Sequence, residues 1–110
     1  MIYAVDFDGT LCIDEYPRIG EPRREIIDFI KQEQAAGAKL ILWTCRSGTQ
    51  LLAACIWCSE QGLKFNAINS NLPENIAKYG NDCRKVYADV YLDDRALYPA
   101  RWTIKKTFRN

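Results

Sequence analysis

Short apolar runs alternate with stretches of helical spacing along this chain. Ile2-Tyr3-Ala4-Val5 is apolar throughout and stops at Asp6, which predicts a buried strand. The stretch from Gly9 to Gly20 mixes glycine, proline and acidic residues and predicts a loop or small hairpin. Pro22, with Glu21 beside it, marks a helix start. Ile26, Ile27, Phe29 and Ile30 give that helix a buried stripe, and Gly37 stands where it should stop. Leu40-Ile41-Leu42-Trp43 predicts a second strand, ending at Thr44. After the loop Cys45-Arg46-Ser47-Gly48, a second helix is expected to bury Leu51, Leu52, Cys55, Ile56 and Ser59 and to end at Gly62. Phe65 to Ile68 is a weaker third strand, and Pro73 opens a short helix that stops at Gly80. Val86 to Leu92 is the fourth strand and ends in Asp93-Asp94, while the tail from Trp102 offers one edge strand.

Strands alternating with helices predict an α/β fold with a mainly parallel sheet and helices on both faces. Binding sites of such sheets lie at the carboxyl ends of the strands. Those ends carry Asp6-Phe7-Asp8-Gly9-Thr10, Thr44 and Asp93-Asp94, so four carboxylates and a hydroxyl are expected on one edge. Clustered carboxylates repel one another, and a hard cation with oxygen ligands removes that cost. Mg²⁺ suits such a cluster because it accepts one or two carboxylates and then takes waters and a phosphate. Asp6 and Asp8 share a face by strand periodicity, and Gly9 lets the backbone turn away.

Composition narrows the chemistry further. The 110 residues fit one domain, 1–110, with 48% apolar and 26% charged residues. The charge, 15 − 14 = +1, supplies no strong nucleic-acid signal. There is no histidine, which excludes Ser-His-Asp and Cys-His catalysis and every imidazole metal site. Five cysteines, an odd number without an apolar leader, predict a reduced, cytoplasmic protein. The longest apolar run, Leu51 to Cys58, is too short to span a bilayer, so no membrane partner is expected.

Asp6-Phe7-Asp8-Gly9-Thr10-Leu11 resembles the first signature of the haloacid dehalogenase (HAD) superfamily, the Asp-x-Asp-x-Thr phosphatases. The apolar run ending in Thr44 is similar to the second signature, and Val90-Tyr91-Leu92-Asp93-Asp94 to the fourth. The three stand in family order and span residues 1 to about 95. The resemblance implies a single Rossmann-like HAD domain. It implies that Asp6 attacks phosphorus to form an aspartyl-phosphate, and that Asp8 protonates the leaving oxygen and then activates water. Mg²⁺ would bind Asp6, the backbone carbonyl of Asp8, and Asp93 or Asp94. Thr44 would hydrogen-bond a phosphoryl oxygen.

The family's third signature is a lysine that neutralises phosphoryl charge, and the candidates are Lys78 and Lys85. In one straight strand Lys85 would lie about 26 Å from Asp93, at ~3.3 Å per residue, so a bend over 81–88 is needed. The Arg84-Lys85 pair ahead of the last strand resembles small capless members and favours Lys85. Arg46, before a helix start, is a second phosphate-binding candidate.

No stretch is long enough for a cap domain, so the resemblance is to capless members. Loop 11–20 is the available flap, with Tyr16 and Arg18 as candidate contacts to the leaving group. An open site suits a phosphorylated macromolecule, or a small substrate enclosed by a second copy in a homo-oligomer. Similarity of the segment from Asp89 to Arg95 to deoxyribonucleotidases adds nucleoside monophosphates to the substrates considered. Other readings fit less well. Cys12 and Arg18 have the spacing of a cysteine-dependent phosphatase loop, but Asp14 and Glu15 would oppose a bound phosphate. A receiver domain needs its phosphoacceptor where Thr44 stands. Cys55 and Cys58 lack the second pair of a zinc site and read as small core residues. The basic tail around Trp102 reads as a solvated edge. A phosphate-binding or scaffold protein without turnover is the alternative from another class.

Overall fold

The computed structural model describes residues 1–95. Four strands form a parallel sheet: β1 (Ile2–Val5), β4 (Lys39–Leu42), β5 (Ala67–Ile68) and β6 (Val90–Leu92), in the order β5-β4-β1-β6. A separate antiparallel hairpin, β2 (Cys12–Glu15) and β3 (Arg18–Pro22), follows β1. The helices are α1 (Arg24–Ala35), α2 (Gly48–Glu60) and α3 (Pro73–Tyr79).

Both long helices pack on one face of the sheet. Ile27 and Ile30 of α1, and Ala54 and Cys58 of α2, meet Tyr3, Val5, Leu40 and Leu42 there. The opposite face, Ala4 and Ile41, is covered by Leu72 at the entry to α3 and by Val86. That face therefore carries less helix than the sequence suggests. From β1 the chain moves outward through β4 to β5, then returns across the sheet to β6 on the other side of β1. Such a reversal opens a crevice at the carboxyl ends of the strands, beside β1.

Several elements differ locally from expectation. Pro22 closes β3 and lies opposite Cys12, and α1 begins at Arg24, with the Arg23 N–H at its N-cap donating to the Leu11 carbonyl. Phe29 is largely exposed, with its ring edge-on to Tyr3. Helix α2 buries Ala54 and Cys58 with Leu51, Cys55 and Trp57 packed beside them, while Leu52 and Ile56 face outward. Its apolar residues run around two faces, so the pattern offered more than one stripe. The fourth strand shrinks from Val86–Leu92 to Val90–Leu92. The edge strand expected from Trp102 lies outside the described residues.

Candidate active site

Asp6 is the first residue past β1, and its N–H donates to the Leu92 carbonyl at 2.9 Å. This extra ladder bond sets Asp6 beside Asp93, the first residue past β6. Phe7 then turns inward, fully buried and edge-on to Trp57. Gly9 has φ +89°, a conformation that favours glycine, and a Cβ there would overlap the Asp94 carboxylate. The buried Thr10 hydroxyl accepts the Asp94 N–H at 3.0 Å. Glycine and threonine together therefore seat the acidic pair of β6 against the loop after β1.

One carboxylate oxygen each from Asp6, Asp93 and Asp94 lie within 4.8 Å of one another. The Asp6 carboxyl is pushed up to about 7, first by burial and then by the charge of Asp93, with Asp94 adding to the rise. A site that disfavours ionised Asp6 in this way favours a cation. Asp6, Asp93 and Asp94 offer three hard oxygen donors of the kind that Mg²⁺ takes. The Asp8 carboxylate stands outside this group and pairs elsewhere.

Two adjoining cavities, about 420 and about 550 Å³, both open onto Asp6, Thr44, Cys45 and Asp93. Thr44 is held by its N–H, which donates to Asn69 Oδ1 at 2.8 Å, and its hydroxyl oxygen accepts the Arg46 N–H. Asn69 carries a positive φ of 53°, which asparagine tolerates. The smaller cavity adds Trp43, Asn69 and Arg84, and the larger adds Asp8, Tyr16 and Arg95 among others.

Lys85 is not where the sequence reading put it. The 81–89 segment does bend, around the buried Asn71. The Asn71 amide donates to Asp82 and the Cys83 carbonyl, and its oxygen accepts the Tyr87 N–H at 2.7 Å. The Asn71 backbone N–H and then its side-chain amide, both donating to Asp82, hold the Asp82 carboxyl below its ordinary range. Val86 is buried at the turn, and the flanking cations diverge. Arg84 reaches the carboxylate edge, where Nη1 donates to the Asn69 carbonyl at 2.8 Å and Nη2 to Asp82 at 2.9 Å. Lys85 lies over the Tyr91 ring and lines a separate cavity with Tyr79 and Tyr87. Lys78 sits against the Tyr79 ring and lines neither of the two cavities at the carboxylates.

Arg46 also differs from expectation. Its side chain is only 1% exposed and binds Asp8 through two 2.8 Å hydrogen bonds, Nε to Oδ2 and Nη2 to Oδ1. The remaining N–H groups reach the carbonyls of Pro17, Arg18 and Gln50. All five guanidinium donors are thus in use, and none is left for a phosphoryl oxygen. Arg84, Asn69, Trp43 and Cys45, and in the larger cavity Asp14 and Arg95, are lining residues that sequence reasoning did not assign to the site. The positive φ of Asn69 is a recognisable asparagine habit, but nothing local said that it would steer Arg84.

The chain is similar to a solved conserved protein from Bacteroides thetaiotaomicron, with 36% sequence identity and a TM-score of 0.78. The match covers 97% of this chain and 88% of that one. The chain belongs to the family of that conserved protein. No protein-family model and no curated protein matches it. No helix among the described residues is long and apolar enough to cross a membrane.

Proposed function

We propose that this chain is a capless phosphatase of the haloacid dehalogenase type, which hydrolyses phosphate monoesters through Asp6 with the help of Mg²⁺. The observation that carries the reading is the gathering of Asp6, Asp93 and Asp94 within 4.8 Å at the edge of a cavity that also holds Thr44 and Arg84. Acids that hold a hard cation stand beside a hydroxyl and a guanidinium that suit a phosphoryl group.

Each residue then has a task. An Asp6 oxygen forms a bond to phosphorus while the ester P–O bond breaks. Asp8 gives the leaving oxygen its proton, and it later takes one from the water that cleaves the phosphoryl-aspartate. Thr44 orients a phosphoryl oxygen. Arg84, in place of the expected lysine, offsets phosphoryl charge while the Asn69 carbonyl aims it. Asp6, Asp93 and Asp94 hold Mg²⁺, which supplies Lewis-acid stabilisation of phosphoryl charge when bound. The open cavities suit a small or a macromolecular phosphorylated substrate.

Hydrolysis of an aryl phosphate with and without Mg²⁺, beside Asp6→Asn, tests the reading. Turnover that needs the cation and vanishes in the variant is the expected result. Mg²⁺-dependent stabilisation without turnover on aryl, nucleotide or sugar phosphates would favour a phosphate-binding protein instead.

A further inference from the structure

The Arg46 guanidinium joins parts of the chain that are distant in sequence. It grips both oxygens of Asp8, on the loop after β1. It also grips the carbonyls of Pro17 and Arg18, at the turn of the β2–β3 hairpin. A fifth bond ties it to Gln50 in the first turn of α2. The planar group is covered by two rings, Phe7 and Tyr16, each with its centroid 5.0 Å from Cζ. Phe7 belongs to the core, whereas Tyr16 sits at the hairpin turn and remains largely exposed. Within the same cavity the guanidinium meets Asp8 on one side and the hairpin on the other.

Such an arrangement exceeds what holding a hairpin requires. A buried guanidinium without an anion is costly, so its stable placement depends on Asp8. The turn carbonyls are in turn held only while the guanidinium stays in place. Each of the two partners, the Asp8 carboxylate and the hairpin, therefore stabilises the geometry of the other. Among the described residues the β2–β3 hairpin forms its own two-stranded sheet with no ladder to the main one, and it meets the core through the buried Cys12 and through Ile19. The strand ends at Cys12 and Ile19 are held by the core, whereas the turn carbonyls of Pro17 and Arg18 are held by the Arg46 guanidinium.

We infer that Arg46 is a positioning residue that couples the hairpin over the site to the carboxylate of Asp8, so that one side chain sets both the flap and the proton donor. The catalytic half rests on the phosphatase reading above, but the mechanical half does not. When the hairpin moves, the bidentate hold on Asp8 is lost, and the acid loses its aim at the leaving oxygen. When the Asp8 carboxylate is replaced by an amide, the guanidinium loses its anionic anchor and the hairpin loosens.

The mechanical half is read by amide hydrogen exchange on Asp8→Asn, which needs no turnover. Residues 12–22 should exchange about tenfold faster, the factor set by losing one charge-assisted hydrogen bond, while the sheet amides stay as in the wild type. Unchanged exchange in the hairpin would overturn the coupling. The catalytic half is read by comparing an aryl phosphate, whose leaving group needs little protonation, with an alkyl phosphate, whose leaving group needs an acid. Arg46→Lys should lose about a hundredfold or more on the alkyl ester and under about tenfold on the aryl ester. Adding Arg46→Lys to Asp8→Asn should cost little beyond Asp8→Asn alone. Equal losses on both esters, with additive effects in the double variant, would make Arg46 a structural residue only and overturn the inference. If the wild type hydrolyses neither ester, the phosphatase reading fails, and hydrogen exchange still decides the coupling.

Discussion

The Arg84 guanidinium donates to the main-chain carbonyl of Asn69 at 2.8 Å. Asn69 also binds the Thr44 N–H, so one asparagine links the ends of β4 and β5 to the cation that follows α3. Through it, a segment far from β1 in sequence comes to face Asp6 across a single cavity.

Arg84 and Lys85 should therefore behave differently despite being neighbours. Arg84→Met is expected to lower kcat/KM for phosphate esters by about ten- to hundredfold, the worth of a charge-assisted hydrogen bond in a partly wet site. Lys85→Met is expected to leave it unchanged, because Lys85 lies over Tyr91 in another cavity. Steady-state kinetics of the two variants checks the assignment, and a large loss in Lys85→Met alone would reverse it.

The crowding of Asp6 by Asp93 and Asp94 has a pH signature. With its carboxyl raised to about 7, Asp6 binds a proton in the folded state at pH values where the unfolded chain has released it. Its contribution to cation-free stability is therefore fully present below about pH 4 and is lost as the pH rises through about 7. Mg²⁺ should restore stability most strongly at the upper end of that window, by about 2.7 kcal/mol at a hundred times Kd. Thermal melts across pH 4–8, with and without Mg²⁺, measure both. A cation effect that is flat with pH would remove Asp6 from the donor set.

Gly9 should resist replacement. Gly9→Ala places a methyl group on the Asp94 carboxylate and forces alanine into a left-handed conformation. Backbone strain alone costs about 1–2 kcal/mol. The melting temperature should fall and Mg²⁺ affinity should drop with it. Intact Mg²⁺ binding in a destabilised Gly9→Ala protein would show that Asp94 is not a ligand.

Cysteine chemistry gives a readout independent of turnover. Cys45 and Cys83 are exposed, whereas Cys12 and Cys58 are buried, and burial pushes the Cys58 thiol up to about 12. Thiol reagents should modify Cys45 and Cys83 first. Phosphate with Mg²⁺ should shield Cys45, which lines both cavities at the carboxylates, and leave Cys83 reactive. Peptide mapping after labelling distinguishes the two sites; shielding of Cys83 without Cys45 would place phosphate elsewhere.

What the sequence revealed was the chemistry written within single loops. The strand Ile2–Val5, the sharp turn at Gly9 and the acidic pair after Leu92 are each set by adjacent residues, and the structure places them together. Partnerships across long separations were not legible. Arg46 meets Asp8 across 38 positions, and nothing near Arg46 distinguishes a side chain aimed at a carboxylate from one aimed at phosphate. That Arg84, and not Lys85, reaches the carboxylate edge depends on how the buried Asn71 wraps residues 81–88, which no local pattern encodes. The inward face of α2 was ambiguous because Leu52 and Ile56 extend its apolar surface onto a second side.

The most direct measurement is to quench the protein with acid during turnover of an aryl phosphate and map the phosphoryl group by peptide mass spectrometry. Asp8→Asn, which slows cleavage of the phosphoryl-aspartate, should accumulate the adduct on the peptide carrying Asp6, and Asp6→Asn should carry none. Mg²⁺-dependent hydrolysis that proceeds with no adduct on Asp6, or that survives in Asp6→Asn, would contradict the account.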